Sequence, residues 1–376
     1  MNLDKEFLLS PEICYLNHAA VGPWPDRTRK RVVHFANENV TQGAQHYPQW
    51  LEVEASLREQ CCQLLSANSS DDIALVKNTS EALSMVAHGL DWKAGDNVVI
   101  PANEFPSNRV VWESLATDGV EVRQVDTRSV DDPEQALIDS CDAKTRLISV
   151  SSVQYDIGLR LDLAKLGLFC HQNTVLFCID AIQSLGVVDL DVEAVYADFV
   201  MADGHKWLLG PEGLGIFYSR PSARKQLKLH EFGWHMLEAL YDFDNPNWSV
   251  ADSARRFECG SPNMLGAHAL EASLSLFLEM GMESITRNIF NNTSYLIDKL
   301  NNISGIKVQT SSDQSRHAGI VNFTLGEKDA APVYESLMKQ GVICALRGGG
   351  IRFSPHFYTP QSTLDRALDI LSKKLK

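Results

Sequence analysis

Long apolar runs are missing from this 376-residue sequence. The longest, such as residues 175–179, are strand-sized and fall far short of the roughly 18 residues that a membrane-crossing helix needs. An excess of positive charge is missing too. Acidic residues number 48 against 34 basic ones, a net charge of −14, which argues against non-specific binding to nucleic acid or to an anionic membrane. No Cys-x-x-Cys pair occurs among the eight cysteines, and Cys61 and Cys62 are adjacent, so no zinc pattern exists and no metal is expected. The thiols read as reduced and mostly buried, which places the protein in the cytoplasm. Residues 1–17 hold Asp4, Glu6 and Glu12 and lack a basic start followed by an apolar run, so they are not expected to act as a signal peptide.

What is present is ordinary globular composition: 44% hydrophobic and 22% charged residues, long enough for two domains. Trp50, Val53, Leu57, Cys61 and Leu64 recur at steps of three and four, which predicts a helix over 48–66. Short β-rich runs then follow at 73–76, 98–101, 120–125, 146–151, 175–180, 198–202 and 215–219, with helical stretches between several of them. Strands alternating with helices imply an α/β fold, a mainly parallel central sheet with helices on both faces. After about residue 256 two helices (265–280, 284–300), strands near 306–310, 319–325 and 342–346, and further helices suggest a smaller C-terminal α+β domain. The expected division is an N-terminal arm at 1–20, a large α/β domain at 21–255 and a small domain at 256–376. Residues 234–254 look like an irregular excursion.

Three stretches carry chemistry. An apolar strand ends in Asp203-Gly-His205-Lys206, and a lysine at the C-terminal end of a parallel strand stands where such sheets bind ligands. Desolvated there, Lys206 would have a lowered pKa and be nucleophilic, as Schiff-base chemistry requires; an exposed turn lysine is the plain alternative. A second apolar strand ends in Asp180, with Gln183 three residues on. A pyridine-ring cofactor needs such a carboxylate at its ring nitrogen, although either residue alone would more often be a cap or turn residue. Thirdly, Thr79 and Ser80 open a helix after the strand at 73–76, a ready anion site that could equally be simple capping. The glycines at 210, 213 and 215 lead into a strand, so they form no dinucleotide fingerprint.

Taken together, Tyr15-Leu-Asn-His-Ala-Ala20, Asn78-Thr-Ser-Glu81, Asp180-Ala-Ile-Gln183, Asp203-Gly-His-Lys206, Arg256-Phe-Glu-Cys-Gly-Ser-Pro-Asn263 and Ile351-Arg-Phe-Ser-Pro-His-Phe357 resemble class V aminotransferases, pyridoxal-phosphate enzymes of fold type I, on the cysteine-desulfurase-like branch. The resemblance spans nearly the whole chain. It implies pyridoxal 5'-phosphate as cofactor, with Lys206 as the Schiff-base lysine and proton carrier, Asp180 at the ring nitrogen and Gln183 at the ring oxygen. It also implies that Thr79, Ser80 and His205 bind the phosphate, that Gln154 lies near the ring oxygen or substrate, and that Arg352 holds the carboxylate of an amino-acid substrate. A homodimer follows from the resemblance as well, with Ser261 reaching the partner subunit's cofactor phosphate.

Three departures bear on the reaction. Phe105 stands where desulfurases usually stack a histidine on the ring; it can stack but cannot move a proton. The loop Leu346-Arg-Gly-Gly-Gly350 has no cysteine where related desulfurases keep a persulfide-forming thiol, and Cys344 before it reads as a packed core thiol. Asp203 occupies a position often filled by a small hydroxyl residue; it is expected to point away from the phosphate and orient His205 as an imidazolium. The leading expectation is a class V aminotransferase acting on a small amino acid. The alternative is a β-eliminating lyase such as a cysteine desulfurase or another carbon–sulfur lyase, and a non-catalytic binding protein of the same fold is more distant. Trp24, Tyr47, Trp234 and His235 are candidates for the pocket wall, with core or interface packing the plain alternative for each.

Overall fold

The computed structural model describes residues 3–375. The first two and the last residue, which include the start of the expected arm, lie outside it. A seven-stranded sheet forms the centre, running across space as Ile73–Val76, Gly215–Ser219, Phe199–Asp203, Leu176–Asp180, Thr145–Ser151, Asn97–Pro101 and Glu121–Val125. Gly215–Ser219 is antiparallel to both its neighbours, and every other pairing is parallel. All seven strands expected from sequence are present, none with an end shifted by more than one residue.

The sheet is apolar on both faces. Phe177, Ile179, Val200 and Ala202 point into one core beside Leu57, Cys61, Leu270 and Phe277. Their chain neighbours Leu176, Cys178, Phe199 and Met201 point into the other beside Leu83, Val86 and Trp112. That alternation is why the central strands read as unbroken apolar runs: each residue is buried, on one side or the other.

Beyond residue 300 a second sheet is antiparallel throughout, in the order Ala345–Arg347, Gly350–Phe353, Val321–Thr324 and Lys307–Val308. Its own core gathers Leu16, Leu296, Phe323, Phe353, Leu364 and Leu371. The run 342–346, expected as one strand, is two. Val342–Ile343 pairs in parallel with Cys14–Tyr15, and Ala345–Arg347 pairs with Gly350–Phe353. Cys344 lies at the break, 2% exposed in that core. Elements not foreseen include the strand Cys14–Tyr15, the helices Asp26–Gln42 and Pro133–Asp139, and the strand Gly350–Phe353. Residues 234–254 are largely irregular, with the short 3-10 turn Trp234–Met236, one antiparallel bridge between Leu237 and Val250, and the start of the 3-10 turn Ala254–Phe257.

Candidate active site

The parallel strands deliver three side chains to one edge. Ser151 pairs with Asp180, Asp180 with Met201, and Asp203 ends the next strand opposite Gly215. At this edge a cavity of about 260 Å³ is lined by Thr79, Ser80, Phe105, Asp180, Gln183, Asp203, His205, Lys206 and Arg352, as well as by Ser107, Tyr155 and Arg347. Nine of the predicted site residues therefore meet in one place. Gln154 and Ser261 do not line it.

Lys206 projects just past the strand end, its Nζ 5.6 Å from the centre of the Phe105 ring. The turn is held from the N-terminal side, where the Gly22 amide donates to the His205 carbonyl at 2.7 Å. A Cβ at Gly22 would lie 2.2 Å from the Lys206 carbonyl oxygen, so only glycine allows that approach. Burial pushes the Lys206 amine down to about 8, with the positive charges of Arg352 and Arg347 adding to the shift and Asp180 opposing it. Asp180 is 2% exposed; burial drives its carboxyl upward, and the nearby Glu104 carboxylate reinforces this against the Ile182 amide, which donates to it at 3.0 Å, and the Lys206 charge. A buried carboxylate of this kind favours a cationic ring nitrogen beside it.

The end of the cavity at Thr79 suits a phosphate. Thr79 opens the helix Thr79–Gly89, its hydroxyl is buried without a hydrogen-bond partner, and the exposed Ser80 hydroxyl lies 2.8 Å from Ser107 Oγ. An orphaned hydroxyl at a helix start is a donor awaiting an anion. Asp203 lies at this end and is engaged there: one oxygen accepts the Thr79 amide at 2.6 Å and the other lies 3.4 Å from His205 Nδ1. The expectation of an imidazolium at His205 is not met. Burial and the Lys206 charge push His205 down to about 4, and Asp203 does not offset them, so the ring is neutral.

Gln183 is already engaged, accepting from Trp207 Nε1 at 2.8 Å and donating to the Ala19 carbonyl at 3.0 Å. One amide hydrogen remains for a ring oxygen. Gln154 is buried and donates to Glu104 at 2.9 Å, leaving its own Oε1 without a partner. Glu104, absent from the sequence reading as a site residue, also accepts from the Ser151 amide and hydroxyl and thereby ties the strand ends together. Ser261 is exposed, away from this cavity. None of the four candidate wall residues lines the cavity: Trp24 donates to the Gly210 carbonyl, Tyr47 packs on Trp50, Trp234 on Tyr241, and His235 is buried beside Glu258.

No cysteine lines the cavity either. Burial raises the Cys344 thiol to about 12, where it is neither ionised nor reactive. Arg347 was quoted in the loop but not recognised as a lining residue; only the register of the hairpin reveals which way it faces.

The fold and cavity define an α/β enzyme of the pyridoxal-phosphate type, with Lys206, Asp180, Thr79 and Ser80 gathered at one sheet edge. The class-V aminotransferase family model matches residues 14–364, and the chain belongs to that family, on its cysteine-desulfurase-like branch. A probable cysteine desulfurase of Methanothermobacter thermautotrophicus is 31% identical over 367 residues, covering 92% of this chain and 90% of the relative. Another, of Pyrococcus abyssi, is 27% identical and covers 99% and 96%. Among solved structures, a C-DES mutant with glycine covalently linked to its PLP cofactor superposes with a TM-score of 0.92 at 21% identity, over 99% of both chains. The apo cysteine desulfurase of Thermococcus onnurineus gives 0.88 at 22% identity, covering 99% and 97%. At these identities the structural likeness speaks for the fold. The family makes the chain a pyridoxal-phosphate-dependent enzyme. The relatives favour the lyase alternative over the transamination expected first.

Proposed function

We propose that the protein is a carbon–sulfur lyase that cleaves a cysteine-type amino acid by β-elimination. The observation that carries this reading is the pairing of Lys206 and Asp180 in a cavity that no cysteine lines and where Phe105, which cannot move a proton, faces Lys206. The relatives' description as cysteine desulfurases supports a sulfur amino acid, and the missing thiol removes the enzyme itself as sulfur acceptor. The bound cofactor supplies an aldehyde for the substrate amine and a ring that stabilises negative charge at Cα.

This chain's residues do the rest. Asp180 would keep the ring nitrogen protonated, and Thr79, Ser80 and the neutral His205 ring would hold the phosphate. Asp203 positions His205 and the Thr79 amide; Phe105 would cover the ring, and Gln183 and Gln154 would serve its oxygen side. Arg352 binds the α-carboxylate. Lys206 Nζ takes the α-proton; the Cβ–S bond then breaks, its electron pair leaving with sulfur as a thiolate. The remaining 2-aminoacrylate hydrolyses to pyruvate and ammonium, so no oxidant or second substrate is needed. A homodimer completes the site, with the exposed Ser261 reaching the partner subunit's phosphate. The eight free thiols support a reducing compartment, the cytoplasm. Among the described residues no helix is long and apolar enough to cross a membrane.

The test is to supply holoenzyme with L-cysteine or its S-substituted derivatives alone, and separately with L-alanine plus a keto acid. Keto-acid-independent pyruvate and sulfur release is expected, lost in Lys206→Ala. Amino transfer that needs the keto acid, with no sulfur release, would restore transamination.

A further inference from the structure

The cavity wall facing the strand ends carries more positive charge than one amino-acid carboxylate uses. It is built by a hairpin whose strands Ala345–Arg347 and Gly350–Phe353 pair Ala345 with Arg352 and Arg347 with Gly350. In an antiparallel pair, opposite residues share a face and alternate positions along a strand do too, so Arg347 and Arg352 project to the same side. Both line the cavity. The connecting Gly348 and Gly349 have φ of 58° and 76°, as a two-residue type I′ turn requires. Behind the turn, Asn322 Nδ2 donates to the Arg347 carbonyl at 2.8 Å and to the Asp156 carbonyl at 3.1 Å, and Arg128 pairs with Asp156. The hairpin is therefore tightly closed and anchored.

Among the described residues neither guanidinium forms an ion pair. Arg352, 2% exposed, donates to the Tyr155 carbonyl at 2.5 Å and leaves its Nε buried without a partner. Arg347 is exposed at the rim and donates only to the adjacent Leu346 carbonyl. Burial and the Arg347 charge together lower Arg352 to about 10, so the two cations oppose one another in this arrangement. The deep arginine matches an α-carboxylate close to Lys206. The rim arginine then has no anion from a simple amino acid such as cysteine.

We infer that Arg347 recognises a second anionic group carried on the substrate's sulfur, which makes the preferred substrate an S-substituted cysteine whose substituent ends in a carboxylate or sulfonate. This rests on the lyase reading. With no thiol in the cavity the sulfur leaves together with its substituent, as RS⁻ bearing the electron pair of the broken Cβ–S bond. Arg347 holds that substituent at the rim and stabilises the departing anion, a charge-assisted contact that a neutral substituent cannot make.

The test compares wild type, Arg347→Gln and Arg347→Lys on S-carboxymethyl-L-cysteine and S-sulfo-L-cysteine against S-methyl-L-cysteine. The expected result is a kcat/KM loss of about tenfold or more in Arg347→Gln for the anionic substrates alone, partly restored in Arg347→Lys. In parallel, calorimetry on the holoenzyme compares α,ω-dicarboxylates from succinate to pimelate with monocarboxylates of equal length. A dicarboxylate preference in wild type that disappears in Arg347→Gln is expected. Equal losses on charged and neutral substrates, or no dicarboxylate preference, overturn the inference. If the binding preference holds while no substrate yields pyruvate, the anion subsite stands and the lyase reading falls.

Discussion

Asp203 accepts the Thr79 backbone N–H at 2.6 Å and so binds the start of the phosphate-end helix to the strand that presents Lys206. A carboxylate in a phosphate cradle is tolerated because that oxygen faces the amide and the other lies near His205. Asp203→Asn keeps an acceptor and removes a charge, so it is expected to retain pyridoxal phosphate at least as well as wild type. Asp203→Ala strands the amide, costing about 1–3 kcal/mol and weakening cofactor retention. Equilibrium dialysis and thermal melts separate the two variants.

The Lys206 amine must be neutral to attack the cofactor aldehyde. Burial has already lowered it to about 8. As pH falls below that value the neutral fraction drops about tenfold per unit, so reconstitution of the apo-protein is expected to slow by that factor between pH 7 and pH 6. Stopped-flow absorbance reads the rate; a pH-independent rate there would contradict the buried-amine assignment.

Two buried histidines make the fold acid-sensitive. His356 Nε2 donates to the Trp207 carbonyl at 3.0 Å while its Nδ1 accepts the Phe357 amide at 2.9 Å, which fixes the neutral ring. His18 bridges the Ser354 carbonyl and the Tyr358 hydroxyl, and burial pushes it down to about 4. Burial holds His356 well below its usual range as well. The unfolded chain takes up these protons below about pH 6.5 and the folded one does not, so stability falls as pH drops from there toward 4. The expected slope is at most about 1.4 kcal/mol per pH unit for each group. Denaturant titrations at pH 7 and pH 5 measure it, and His18→Gln should reduce it.

Gly348 has φ of 58°, and a Cβ there would meet Asp156 Cβ at 3.2 Å. Gly348→Val is expected to cost about 1–3 kcal/mol and to distort the hairpin that aims Arg347 and Arg352. Melting temperature and dicarboxylate affinity should fall together; an unchanged affinity would detach the turn from the site.

The sheet was legible because its strands are buried on both faces and end abruptly in polar residues: the apolar run through Ile179 stops at Asp180, and that through Ala202 stops at Asp203. Period and termination are local properties. Partner choice is not, which is why the run around Cys344 read as one strand although Ile343 and Ala345 pair with different partners. The helix Asp26–Gln42 was missed since only Asp26 and Thr28 are buried along it, leaving little apolar period to read. Lys206, Asp180 and Thr79 announced themselves at strand and helix ends. Arg347 did not, because its direction depends on a register set across the Gly348–Gly349 turn. Glu104 stayed hidden because its partners, Ser151 and Gln154, lie some fifty residues away in sequence.

Most direct is an intact-mass measurement on holoenzyme quenched during turnover of an S-substituted cysteine, its thiols then alkylated. Pyruvate and released sulfur compound should appear in equal amounts, with all eight cysteines carrying the alkyl label and no added sulfur. A persulfide on any of them during turnover would contradict the account.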